Sequence, residues 1–187
     1  LGGEVFTRAG GMSVQRSGGE IYTSMQTGEI DAAEWVGPYN DLAFGFHQIA
    51  KYYYYPGWQE PGPTLELIIN KQALDSLPTD LQAIVESAAR AANQNMLDEY
   101  TARNNAALIE LVETHGVQVK KLPDDVLAEL QRISAIVVDE MAAENPLAQR
   151  ITDSMRAFAQ QSKAYHGISE EAYYEAPVAR IRYQVDS

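Results

Sequence analysis

Glu34-Trp35 and Trp58-Gln59-Glu60 are the residues of this chain best equipped for chemistry. Each stands where an extended run should stop. Asp31-Ala32-Ala33 leads into the first, and four consecutive tyrosines followed by Pro56-Gly57 lead into the second. Carboxylates offer hard oxygen donors and indoles offer flat apolar walls. In open α/β sheets, ligands bind in the crevice beyond the carboxyl ends of the strands. Two acids and two indoles delivered there point to a small-ligand site holding a cation. The alternative use of the same acids is a hydrolytic acid–base pair, which requires a defined separation and one raised pKa. The chain has no Gly-x-Ser-x-Gly elbow and no His-Glu-x-x-His motif, so no enzyme is expected.

The elements that must position these residues divide the chain into two kinds of segment. Residues 4–8 suggest a helix closed by Gly10-Gly11, and 12–15 a short strand. Ser17-Gly-Gly-Glu20 resembles a capping box before a helix carrying Ile21, Tyr22 and Met25, ended near Gly28. Residues 31–35, 51–55 and 64–69 are expected strands, with a helix over 38–50. That rhythm of strand and helix predicts a parallel sheet. If extended, Tyr52 to Tyr55 alternate faces, two inward and two outward.

Beyond Leu77-Pro78-Thr79-Asp80 the chain is expected to be helical. Leu81, Ile84, Val85, Ala88, Ala92 and Met96 keep a helical rhythm that continues to His115-Gly116. Such a helix would be roughly 50 Å long. A short strand over 117–122 follows, then a helix opened by Pro123-Asp124-Asp125. Asn145-Pro146 should break that helix, because the residue before proline avoids the α region. A last stripe of Leu147, Ile151, Met155 and Phe158 runs to His166-Gly167. The tail beyond Ser169, with Tyr173-Tyr174 and Arg180-Ile-Arg182-Tyr183, either docks on a partner or frays.

Composition narrows the classes. The 187 residues carry a formal net charge of −12 and no cysteine. The charge argues against nucleic acid, whose binding needs a basic surface, and against direct binding to anionic lipid. Disulfides, thiolate nucleophiles and cysteine metal sites are excluded. The start, Leu1-Gly2-Gly3-Glu4, reads like the interior of an element, so the chain is expected to lack an N-terminal portion and any leader it carried.

Three strings in order then resemble one family. They are Gly18-Gly-Glu-Ile-Tyr-Thr-Ser-Met-Gln-Thr-Gly-Glu-Ile-Asp-Ala-Ala-Glu-Trp35, Gly37-Pro-Tyr-Asn-Asp-Leu-Ala-Phe-Gly45 and Lys51-Tyr-Tyr-Tyr-Tyr-Pro-Gly-Trp58. The chain resembles the periplasmic solute-binding subunit of tripartite ATP-independent periplasmic (TRAP) transporters. The Glu-Trp and Tyr-rich strings are similar to its branch for 2-oxo acids and related monocarboxylates. The resemblance implies an α/β, periplasmic-binding-protein-like two-lobed fold, of which this is the C-terminal part. Its parts would be a second-lobe α/β segment with the ligand site over 1–60 and a strand and turn returning to the first lobe over 61–77. A long lobe-bridging helix would span 78–116, second-lobe strand and helices 117–165, and a C-terminal tail with a dimer contact 166–187.

The resemblance also implies a metal cation, Na⁺ or Ca²⁺, held by Glu34, the backbone carbonyl of Trp35, Glu60 and a residue upstream of this chain. Ligand-binding residues would be Glu34, Trp35, Tyr39, Trp58 and Glu60. The family's carboxylate-clamping arginine would also lie upstream of Leu1. Implied partners are a small carboxylate, the membrane subunits of the transporter and a second copy of the chain. Electrostatics supports the cation. An anionic ligand about 4 Å from a carboxylate is opposed by roughly 4 kcal/mol at an effective dielectric of 20. A hard cation turns that repulsion into a bridge.

Plainer readings exist for each residue. Glutamates are mostly solvated, tryptophans mostly packing anchors, and Asn40 serves equally as a helix N-cap. Asp124-Asp125 is better read as charge at a helix start than as a metal site. His47, His115 and His166 are too scattered in sequence to form a metal cluster.

Overall fold

In the computed structural model, residues 1–62 and 65–177 are described. The elements are α1 (Gly2–Arg8), α2 (Gly18–Gln26), α3 (Pro38–Ala43), a 3-10 turn (Phe46–Gln48), β1 (Tyr52–Tyr55), α4 (Lys71–Asp75), α5 (Thr79–Glu113), β2 (Gln118–Lys121), α6 (Asp124–Ala143), α7 (Pro146–His166) and α8 (Glu170–Glu175). Local sequence explains most ends. The Glu20 carboxylate accepts from the Ser17 N–H at 3.0 Å, one half of the capping box of α2, and also from the Ser17 hydroxyl at 2.6 Å. Those bonds hold the Glu20 carboxyl below its usual range. Asn145 caps α7 by accepting from the Leu147 and Ala148 amides at 3.1 and 2.9 Å, with Pro146 in the first turn. The expected break at Asn145-Pro146 is therefore where α6 and α7 part.

The chain forms two compact units. One comprises Leu1–Met12 and Leu130–Ser187, the other Ser13–Glu129. In the first, Val5, Leu130, Ile133, Val137 and Ala142 are buried. Arg8 ties α1 to α6 through Glu140 at 2.7 Å, and Arg156 ties α7 to α6 through Asp139 at 2.6 Å. In the second, β1 and β2 pair in parallel, Tyr52 opposite Gln118 through Tyr55 opposite Lys121. The chain between them supplies α4 and α5, the crossover that parallel neighbours require. Among the described residues of this unit, Ile21, Ala107, Leu111 and Val117 are the buried apolar ones.

Three expected strands differ from the structure. Residues 12–15 and 31–35 are irregular, and so are 65–69, while residue 64 lies outside the described residues. Among the described residues the only strand pairing is β1 with β2. Alternating side chains mark a segment as willing to extend, but a strand exists only where a neighbour takes its backbone hydrogen bonds. The expected helix over 38–50 is also divided, because Gly45 adopts a left-handed conformation (φ 76°) that ends α3 before the 3-10 turn. Of the four tyrosines only Tyr53 is half-buried; Tyr52, Tyr54 and Tyr55 are 48 to 52% exposed. A two-stranded ribbon covers one face only at its middle. Short helices α4 and α8 add to the expected set, and Arg180, Arg182 and Tyr183 lie outside the described residues.

Leu130 is 6% exposed, so Leu130→Ala should destabilise the protein by about 2–5 kcal/mol in denaturant titration. A loss below about 0.5 kcal/mol, the level of a surface change, would contradict its place in the core.

Candidate functional site

The first tip, Glu34-Trp35, lies between α2 and α3 and is anchored through its indole. The Trp35 ring is half-buried and packs on Phe44 with centroids 5.2 Å apart and a 57° tilt. A Cβ at Gly18 would stand 2.6 Å from Trp35 Cη2, so the glycine opening α2 makes room for the indole. Trp35 Nε1 is buried without a hydrogen-bond partner. The indole is thus a packing anchor, which leaves the backbone carbonyl and the exposed Glu34 side chain as the groups available to a ligand.

The second tip follows β1 directly. A Cβ at Gly57 would lie 2.3 Å from the Glu60 carbonyl oxygen. The loop closes on itself so tightly that only glycine fits there. Trp58 is half-buried and Glu60 exposed.

The first tip lies within electrostatic range of the second. The Glu34 carboxyl is pushed above its usual range, first by partial removal from water and then by the negative charges of Glu60 and Asp41. Like charges in mutual range raise a carboxyl pKa in this way. Two acids and a main-chain carbonyl are hard oxygen donors of the kind that hold Ca²⁺ or Na⁺. A cation among them would relieve the stress on Glu34, so the residues present fit such an ion. Among the described residues no group of three or more His, Cys, Asp or Glu side chains forms a metal cage. Glu34, Trp35 and Glu60 are a partial set of donors.

Tyr39 takes a different direction. Its ring meets Tyr100 edge-on at 6.3 Å, the Arg103 guanidinium lies 5.4 Å from its centroid, and its hydroxyl donates to Glu99 at 3.4 Å. All three partners belong to α5. Asn104, also on α5, accepts from the Tyr39 amide at 2.9 Å. The N-cap of α3 is Gly37, not Asn40, whose Oδ1 is buried without a partner.

Sequence reasoning passed over two features. Asp41 is buried, with Oδ2 accepting from the Tyr53 hydroxyl at 2.6 Å and Oδ1 from the Gly37 amide at 3.4 Å. Burial raises its carboxyl above the usual range, while the Tyr53, Val36 and Gly37 donors pull it down. His47 and His115, 68 residues apart in sequence, stack with centroids 3.9 Å apart. His115 Nε2 lies 3.6 Å from Glu110. Desolvation and then the neighbouring His115 lower the His47 pKa. The visible hint for Asp41 was an acid in the first turn of an expected helix; the histidine pair had none.

A cavity of about 80 Å³ lies beneath this region, lined by residues including Trp35, Asp41, Phe46, His47, Tyr53 and Leu111. It takes in Trp35 but none of Glu34, Tyr39, Trp58 or Glu60.

An α/β chain that offers paired acidic oxygens on two loop tips is suited to holding a solute. Residues 1–145 match the DctP family, bacterial extracellular solute-binding protein family 7, and the chain belongs to it. It is 38% identical over 173 residues to the monocarboxylate 2-oxoacid-binding periplasmic protein of Nostoc sp. (strain PCC 7120), covering 92% of this chain and 47% of that protein. A TRAP transporter solute-binding protein from Bordetella bronchiseptica RB50, solved as a mixed-occupancy dimer with calcium and picolinate, matches at TM-score 0.90 and 34% identity, over 96% of this chain and 54% of that one. One from Pseudoalteromonas atlantica T6c, with sodium and pyruvate, matches at 0.88 and 35%, over 94% and 53%. The expected α/β, periplasmic-binding-protein-like fold class stands. The chain spans about half the length of the relatives it matches.

The raised Glu34 carboxyl makes a signed prediction. Folding favours its protonated form, so this group's contribution to stability is lost as pH rises through the carboxylate range. At pH 7 in chelator, Glu34→Gln should therefore raise the melting temperature by removing the repulsion. With calcium added, wild type should gain and the variant should not. A variant that melts lower than wild type in chelator would contradict the charge coupling.

Proposed function

We propose that the intact protein is the periplasmic capture subunit of a TRAP transporter. It takes a short 2-oxo monocarboxylate, such as pyruvate or a lactate-like acid, together with Ca²⁺ or Na⁺ and delivers it to the membrane subunits. The observation that carries this reading is the raised Glu34 carboxyl, stressed first by partial burial and then by the negative charges of Glu60 and Asp41. Without a cation, the Glu34 and Glu60 pair opposes any anion; with one, it becomes an anion site. Family membership and the names of the relatives support the same direction.

In this reading Glu34, Glu60 and the Trp35 carbonyl hold the ion, and further ligands, including the carboxylate clamp, come from outside this chain. Trp58 walls the ligand. Tyr39 reaches it by exchanging its Glu99 partner. Pyruvate and picolinate share one chemical trait, a carboxylate beside a second donor atom, so each can grip a metal with two atoms. A partly coordinated cation selects for that trait. The acid–base alternative has no comparable support, since capture needs no bond making.

Calorimetry of the intact protein with pyruvate tests this. Binding is expected with calcium or sodium and lost in chelator-treated, sodium-free buffer. Loss of groups that merely support metal ligands reduces metal affinity about 10–100-fold; Glu60→Ala, which removes a proposed ligand, should weaken binding at least as much. Absence of binding to every short carboxylic acid with metal present would remove the proposal.

A second copy is the further partner we infer. Leu147, Ile151, Met155 and Phe158 form one stripe on α7 and are 52 to 70% exposed. One relative is described as a dimer. Light scattering of the intact protein should give a dimer mass that falls to a monomer in the Ile151→Glu, Phe158→Glu double variant; an unchanged mass would exclude this face.

A further inference from the structure

Asp41 belongs to one of the three family-like strings, yet neither the cation nor the ligand makes use of it in the reading above. It is 8% exposed, in the first turn of α3. Burying an ionised carboxylate is costly unless donors surround it. Here three do: the Tyr53 hydroxyl at 2.6 Å, the Gly37 amide at 3.4 Å and the Val36 amide. An ionised carboxylate is the acceptor-only side chain with room for that many donors.

The position of those donors gives the bonds their significance. Val36 and Gly37 directly follow Glu34-Trp35, so two of the bonds grip the main chain of the first tip. Tyr53 sits in the middle of β1, which ends at Tyr55 and runs straight into the Gly57–Glu60 loop closed over its glycine. The third bond therefore grips the strand that carries the second tip. One side chain, Asp41, is thus bonded to both segments.

We propose that Asp41 is a positioning residue for the cation site: its buried carboxylate ties the Glu34-Trp35 tip to the strand bearing the Glu60 loop and so sets the separation of the two acids. This rests on the reading of Glu34 and Glu60 as cation ligands. Cation selectivity depends on that separation. Ca²⁺ accepts flexible oxygen shells at longer distances, whereas Mg²⁺ demands near-octahedral geometry at shorter ones. A tie that fixes two acids at one spacing is thus a selectivity device as well as a scaffold. Its charge also adds to the negative field around the ion without occupying a coordination position.

The test compares wild type, Tyr53→Phe and Asp41→Asn forms of the intact protein. Titration calorimetry with calcium chloride and then magnesium chloride gives affinities, and thermal melts in chelator give stability. Amide hydrogen exchange of residues 57–60 in ion-free protein reports whether the second tip has come loose. Tyr53→Phe removes one hydroxyl and preserves the ring, so it keeps the comparison open if Asp41→Asn folds poorly. Expected are a loss of calcium affinity of about tenfold or more, a narrower preference for calcium over magnesium, and faster exchange over 57–60. A folded Tyr53→Phe protein with unchanged calcium affinity and unchanged preference would overturn the positioning role, leaving the site itself intact. A wild type that binds neither ion would overturn both the site and this inference.

Discussion

The electrostatic stress on Glu34, a carboxylate partly withdrawn from water and facing the charges of Glu60 and Asp41, is the constraint on which the reading of this site depends. Glu34 is already pushed toward its neutral form, first by partial burial and then by the charges of Glu60 and Asp41, in a chain whose formal net charge is −12. Sequences selected only for stability have little reason to gather acids in this way. Native proteins sit only about 5–15 kcal/mol from unfolding, so a repulsion retained at a site is a standing cost. It makes sense if the site is completed by a positive charge, and the family to which the chain belongs supplies relatives found with calcium or sodium beside small carboxylates.

Holding repelling groups at one separation calls for a stiff frame, and the second unit provides it by unusually direct means. The frame does not depend on a wide sheet. Its two parallel strands are short, and stiffness comes from close approaches instead. Gly18 admits the Trp35 indole, and Gly57 admits the Glu60 carbonyl. Asn104 on α5 reaches across to the start of α3. Each of these fixes backbone near a tip while leaving the acidic side chain free at the surface.

How much of this was legible in the sequence depends on the range of the interaction concerned. Short-range features read well. The Ser17–Glu20 box, the Asn145-Pro146 break and the long helical rhythm after Pro78 are encoded within a few residues, and each appears in the structure. The long helix runs Thr79–Glu113 against an expected 80–115. Strands over 12–15 and 31–35 were misread because alternation is local, whereas pairing needs a partner elsewhere. Glu34 and Glu60 were nominated because each ends a run of recognisable composition, and Glu60 is among the charges that raise the Glu34 carboxyl. The stacking of His47 on His115, and the bond from Tyr53 to Asp41, were not. Nothing within either local segment marks the distant residue it will meet, and the tyrosine run offered four candidates for one inward position.

The balance of charge around the tips bears on which ion suits the proposed site. Glu34 and Glu60 bring two negative charges and a monocarboxylate would bring a third, while Asp41 stands behind them with its charge partly answered by three hydrogen-bond donors. A monovalent ion leaves that assembly strongly negative and dependent on cations from elsewhere, such as an arginine outside this chain. A divalent ion with a long, flexible oxygen shell offsets most of it and tolerates the imperfect geometry of two loops. The arrangement thus leans toward calcium where both ions are offered at equal concentration, and toward sodium only where sodium is in large excess. In the proposed site, affinity would follow the charge gathered at the tips, and occupancy the medium in which the intact protein works.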